Sequence, residues 1–231
     1  MCGRFVSKTD AEMERAFGLT RSGWRKGWAG FNVAPSQAVP IVRAVDGERE
    51  GALVRWGLIP FWAKGEVPRY STINARVETI EKAASYRGPW KRGQRCVIPA
   101  LGFYEWKQLE KGKQPWFIRV AGGMPFGLLG LWDRSTRGDG EVIESCTIIT
   151  LPANPLVAEI HAKGRMPAMR TPEECAHWLE GEEHAARGVL TPFPAARMEA
   201  WPVSRKVNSP ANDGPELVQP LDDAEGPVVS S

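Results

Sequence analysis

The chain opens Met-Cys-Gly-Arg-Phe, and Cys2 has the most distinctive chemistry open to it. A small second side chain permits removal of the initiator methionine, which leaves Cys2 with a free α-amine and a free thiol on adjacent carbons. Such a 1,2-aminothiol traps aldehydes. An α-amine has a reference pKa near 7.7–8.0 against about 10.4 for a lysine, so roughly a few hundred times more of it is neutral and nucleophilic at pH 7. Once the amine has formed an imine, the neighbouring thiol adds to the same carbon and closes a five-membered thiazolidine, which is far more durable. In DNA the fitting aldehyde is an abasic site, whose deoxyribose lies mostly in a closed form and needs a general acid to open it. A small second residue without any chemical role is the competing interpretation of the pentapeptide alone.

Three further segments offer groups for that proton chemistry. In Gly-Phe-Tyr-Glu-Trp-Lys (102–107), strand alternation puts Phe103 and Glu105 on one face and Tyr104 and Trp106 on the other. A carboxyl among aromatics has its pKa raised by desolvation and suits a proton donor near neutrality, whereas a Glu at a strand end in water or paired with Arg does not. In Thr-Ile-Asn-Ala-Arg-Val-Glu-Thr (72–79), Asn74 and Arg76 share a face if the stretch is extended. Asn offers a donor and an acceptor for holding a nucleophile, and Arg a fork for phosphate; alternatively Asn74 caps a helix starting near Thr79. In Glu-Ile-His-Ala-Lys-Gly-Arg-Met-Pro (159–167), His161 ends a helix and precedes Lys163 and Arg165. His177 and His184 fall in an acidic stretch, which leaves His161 as the candidate titrating near pH 7, unless it merely faces solvent.

The elements that must position these residues read as mixed α and β. Strands are expected at 38–45, 51–59, 95–107, 114–122, 125–132 and 142–151, apolar or β-branched runs bounded by Gly and Pro. Helices are expected at 9–19 with Thr9 as cap, at 79–86, at 154–161, and at 171–181, where Thr171, Pro172 and Glu174 spell a capping box. Strands outnumber helices without alternating with them. The expectation is a single α+β domain over residues 1–207, with a curved, largely antiparallel, barrel-like sheet flanked by short helices. Residues 208–231 read as a loosely structured acidic tail.

Composition narrows the function class. Residues 55–95 carry nine Lys or Arg against three acids, and residues 171–231 eleven acids against four bases. A basic segment containing Trp suits a nucleic-acid backbone, although a solvated face has the same composition. Some of the ten tryptophans are expected to line a groove, the rest to fill the core. The four cysteines form no CxxC pair and no metal spacing with the three histidines, so neither a metal nor another cofactor is expected. With no signal peptide and no apolar run of membrane-spanning length, the chain is expected to be cytoplasmic, its thiols reduced and no membrane involved.

Together these segments resemble the SRAP family (SOS response-associated peptidase), the abasic-site processing proteins. Eight blocks occur in family order over about residues 2–207: MCGRF, NVAPSQAVP (32–40), WGLIPFWAK (56–64), INARVET (73–79), RCVIPALGFYEW (95–106), FGLLGLW (126–132), TIITLPAN (147–154) and RMP (165–167). Each is weak alone; eight in register are specific. The resemblance implies a compact α+β domain with a barrel-like sheet and a basic groove for single-stranded DNA. It also implies a covalent thiazolidine link from the N-terminal cysteine to abasic sites, which shields the lesion, with autopeptidase and lyase-type imine chemistry beside it. Only Met1 precedes Cys2, so ordinary methionine removal suffices.

By position, Cys2 matches the family nucleophile, Asn74 the residue that orients its amine or the sugar, Glu105 the acid for ring opening, and His161 the histidine assisting imine chemistry. Arg4 and Arg76 match phosphate-binding arginines, Asn32, Thr150 and Arg165 fall at the implied DNA surface, and Trp62 and Pro40 are placed to wedge or stack against bases. The partner implied is single-stranded DNA containing abasic sites, met by a monomer. One departure stands out. Family members read His-x-Arg-Met-Pro, whereas here His161 is followed by AKGRMP, two residues longer, so that His161 approaches by another path or shares its work with Lys163. Two other function classes stay open: a thiol peptidase with Cys2 attacking a carbonyl, and a non-covalent single-strand-binding module.

Overall fold

The computed structural model describes residues 2–221 and 228–229. In chain order the strands are β1 (Phe5–Thr9), β2 (Arg21–Ser22), β3 (Trp28–Val33), β4 (Ala38–Val45), β5 (Glu48–Trp56), β6 (Asn74–Arg76), β7 (Arg95–Ala100), β8 (Gly102–Gln108), β9 (Lys113–Val120), β10 (Phe126–Thr136), β11 (Val142–Pro152), β12 (Arg165–Pro167), β13 (Met169–Arg170), β14 (Met198–Pro202) and β15 (Val228–Val229). The helices are short: α1 (Ala11–Ala16), α2 (Arg87–Lys91), α3 (Pro155–Ile160), α4 (Cys175–Leu179) and α5 (Glu183–Gly188).

Strands β11, β10, β7, β4 and β5 pair in that order, and a parallel contact between β5 and β11 closes them into a five-stranded barrel. Closure removes the edges that an open sheet would expose. A second sheet, β15-β14-β9-β8-β1-β3, packs beside it. The expected α+β class with a curved, mostly antiparallel barrel is what is observed.

Strand β8 divides two cores. Phe103 belongs to the large core shared with the barrel, whereas Tyr104 packs with Val6, Phe117, Trp201 and Leu217 in a smaller cluster. The two-residue period expected for 103–106 is thus expressed as two different interiors. Gly102 starts β8 because a Cβ there would lie 2.1 Å from the Phe117 ring; no side chain fits at that approach.

Several expectations need correction. The single strand expected over 95–107 is two, β7 and β8, hinged at Leu101. No helix covers 79–86, which is a series of turns before α2. The cap of α1 is Asp10, whose side chain accepts from the Met13 N–H, while Thr9 completes β1. The capping box at Thr171 and Glu174 is present and reciprocal, at 3.1 and 3.4 Å. Residues 208–221 are not loose: Leu217 is fully buried, and Asn32 Nδ2 donates to the carbonyls of Val207, Ser209 and Asn212 at 2.9–3.1 Å. The remainder of the expected tail, apart from β15, lies outside the described residues. Of the ten tryptophans five are buried and four half-buried, and Trp62 alone is exposed.

Candidate active site

The site is assembled from one end of β1. That strand lies between β8 and β3, with Phe5 opposite both Phe103 and Val33. The Tyr104 N–H donates to the Arg4 carbonyl at 3.0 Å, so the residues ahead of Phe5 run beside Glu105. Cys2 is fully buried, its Sγ 3.8 Å from the Arg4 carbonyl. Asn74 arrives from β6, which pairs in parallel with β11, and its Nδ2 donates to the Cys2 carbonyl at 3.0 Å. The Asn74 carbonyl is held in turn by the Tyr86 hydroxyl at 3.1 Å.

Glu105 and His161 meet from different layers. Glu105 projects from β8 and is 2 % exposed. His161 follows α3, whose N-cap Asn154 accepts from the Val157 N–H at 2.9 Å and donates to the Phe193 carbonyl at 2.7 Å. Its Nε2 sits 3.6 Å from Glu105 Oε2. Both residues line a cavity of about 290 Å³, with Trp106, Gln108, Lys113, Ala162 and Lys163 completing the wall. At roughly 30 Å³ per water, that is room for about ten waters, or one sugar with its phosphate.

The electrostatics follow from burial. Desolvation pushes the Glu105 carboxyl up to about 7, with the positive chain terminus acting against it. Burial pushes the Cys2 thiol well above its ordinary value, and the Glu105 charge adds to this. His161 goes the other way, to about 4, chiefly because burial disfavours its cation and then because the chain terminus, Lys163 and Arg165 repel it. Near neutrality the site therefore holds a protonated thiol, a neutral imidazole and a carboxyl that can give or take a proton.

Cys2, Asn74, Glu105 and His161 are thus brought together, although His161 does not titrate near pH 7 as expected. The outer residues divide. Arg76 is exposed and Arg4 half-buried, while Trp62 lies with Phe61 on an open face beside Arg87, Lys91 and Arg92. Arg165 is engaged within the chain, forking onto Glu78 at 2.5 and 3.1 Å and reaching the Thr150 carbonyl at 2.6 Å. Three expectations are overturned. Asn32 is buried and committed to the carbonyls of 207–212; Pro40 is buried in β4 opposite Leu53; and Thr150 is fully buried beneath Arg165, its hydroxyl 3.1 Å from that guanidinium. None of the three is exposed at the surface. Tyr86 and Lys113 were missed, since no local pattern marks a hydroxyl that reaches back twelve residues or a lysine that faces the site from a neighbouring strand.

The family model described as SOS response associated peptidase (SRAP) matches residues 1–210. The chain belongs to the SRAP family. This SRAP chain is 42% identical to abasic site processing protein YoqW of Bacillus subtilis over 194 residues, covering 82% of this chain and 85% of that one. It is 32% identical to abasic site processing protein YedK of Escherichia coli, covering 83% and 84% of the two. A solved SRAP-like structure, a protein from Bordetella bronchiseptica, superposes with a TM-score of 0.76 at 31% identity over 88% of this chain and all of that one. No helix among the described residues is long and apolar enough to cross a membrane.

Proposed function

We propose that this SRAP chain captures abasic sites in single-stranded DNA through Cys2 once Met1 is removed, and so caps the lesion. The observation that carries this is the linkage of Cys2, Asn74, Glu105 and His161: Asn74 holds the Cys2 carbonyl at 3.0 Å, the Glu105 charge acts on the Cys2 thiol, and Glu105 and His161 line one cavity, 3.6 Å apart. Relatives named as abasic site processing proteins support the same substrate.

The chemistry balances with one water lost. Glu105, protonated, donates to the ring oxygen of the closed sugar, the ring C–O bond breaks, and the anomeric hydroxyl's proton passes back to Glu105, leaving the open aldehyde. The Cys2 amine, neutral, adds to the aldehyde carbon; proton transfer from the new nitrogen to the hydroxyl, through Glu105, expels water and leaves an imine. The thiol then adds across the C=N bond, sulfur to carbon and proton to nitrogen. Thiol burial and the weak basicity of His161, its pKa lowered to about 4, support this amine-first order over a thiolate-first peptidase, which needs a base strong enough to deprotonate the sulfur. Exposed Arg76, half-buried Arg4 and the open Trp62 face supply phosphate and stacking contacts.

The test is a denaturing gel after incubation with single-stranded DNA carrying one abasic site. Wild-type protein gives a shifted covalent band, Cys2→Ala none, and Cys2→Ser an adduct seen only after borohydride reduction. Wild-type protein that binds without a covalent band refutes the proposal, as does hydrolysis of peptides with no DNA band.

A further inference from the structure

Residues 161–164 form a turn that folds back onto His161. The Gly164 N–H donates to the His161 carbonyl at 2.8 Å, and Gly164 has φ +56°, the left-handed region. The Gly164 carbonyl accepts from the Ala153 N–H at 2.9 Å, which ties the turn to the end of β11. In this path two backbone amides aim at one ring atom: Lys163 N–H at 3.1 Å and Arg165 N–H at 3.4 Å from His161 Nδ1.

A neutral imidazole carries one N–H and one lone pair. A proton on Nδ1 would face two amide hydrogens, so Nδ1 holds the lone pair and the proton sits on Nε2, the nitrogen directed at Glu105 Oε2. We propose that the turn 161–164 locks His161 in the Nε2–H tautomer, with Gly164 as its positioning residue, so that the ring presents only an N–H, 3.6 Å from Glu105 Oε2, on the Glu105 side. The assignment to catalysis, though not the tautomer itself, rests on the function proposed above. The charged groups acting on the ring are Glu105 from β8, the positive chain terminus, and Lys163 and Arg165 from its own loop, with Lys113 on the cavity wall. Burial and the positive groups keep the ring neutral well below pH 7. When Glu105 gives its proton to the departing hydroxyl, Nε2–H steadies the carboxylate left behind. Returning the proton through Nδ1 is closed to it.

The full chain labelled with ¹⁵N-histidine tests this directly. Three histidines are present, and His161→Gln identifies the resonances by their loss. Long-range ¹H–¹⁵N spectra should show His161 with a protonated Nε2 and a bare Nδ1, unchanged from pH 8 to about pH 5. Gly164→Val, which disfavours the left-handed backbone, should mix the tautomers and slow crosslinking about tenfold or more, within the range of lost proton-transfer assistance. Gly164→Asn, which tolerates that backbone, should restore both. A wild-type His161 that is protonated on Nδ1, or a Gly164→Val protein with an unchanged spectrum, overturns the proposal. If the tautomer is as stated and wild-type protein forms no crosslink, the lock stands and the proposed function fails.

Discussion

Glu105→Gln removes one titrating proton at nearly constant size, and its effect can be worked from the site. The carboxyl holds its proton with a pKa of about 7 in the folded chain against an ordinary 4.5. That is a roughly 300-fold tighter hold, or about 3 kcal/mol at about 1.4 kcal/mol per factor of ten. Between pH 4.5 and about 7 the folded state keeps the proton and the unfolded state has lost it, so stability falls as pH rises through that window. His161 contributes the opposite slope: its proton is refused down to about pH 4 in the folded chain against 6.5 when free, so stability rises with pH over that interval. The two slopes offset each other in the wild type. The Glu105 contribution emerges as a difference, by urea unfolding of wild type and Glu105→Gln in parallel at steps from pH 4.5 to 8.5. The gap should be near zero at the acid end and grow to about 3 kcal/mol in favour of the variant above pH 7.5. A gap that stays flat refutes the buried proton-holding carboxyl, and with it Glu105 as the acid near neutrality.

Three other substitutions probe the supports. Asn32→Ala takes a buried donor from three carbonyls of the C-terminal segment; it should cost about 2–3 kcal/mol in unfolding experiments and leave DNA affinity unchanged, in keeping with a structural residue. Arg76→Ala removes an exposed cation beside Asn74; the slope of log affinity against log salt for single-stranded DNA should shrink by about 0.7, one phosphate's worth. Asn154→Ala uncaps α3 and orphans the Phe193 carbonyl; about 2 kcal/mol of stability should go, and crosslinking should slow because His161 sits at the other end of that helix.

What could be read in advance was what depends on local pattern. Alternation along 103–106 correctly separates Glu105 from Tyr104, and the capping box of Thr171 and Glu174 forms as its spacing requires. The catalytic candidates were legible because each carries unusual chemistry for its context. The DNA-surface residues were less so. Asn32, Pro40 and Thr150 fall within motif blocks, but a block does not say which side of a strand faces out, and all three face in. The docked segment 208–221 was misjudged because its polar composition conceals a few apolar anchors, Leu217 above all, and because its hydrogen bonds come from Asn32, some 180 residues away. Long-range pairing of that kind leaves no periodic trace.

The placement of Cys2 joins fold to mechanism. Chain ends ordinarily fray, since they have few partners. Here β1 has a neighbour on both sides, and Asn74 adds a contact to the Cys2 carbonyl itself, so the start of the chain is held as firmly as an interior strand. The burial that gives this precision also raises the thiol pKa and keeps the sulfur protonated. A protonated thiol is a poor first nucleophile, whereas an α-amine titrates near neutrality without assistance. Under the proposed function, nitrogen before sulfur is the order of bond formation that this burial of Cys2 favours. Rapid-quench trapping should find the borohydride-reducible imine before the stable ring. If the ring accumulated with no reducible precursor in a chain whose crosslinking is slowed by Gly164→Val, sulfur would have attacked first and the burial of Cys2 would have to be relieved on binding.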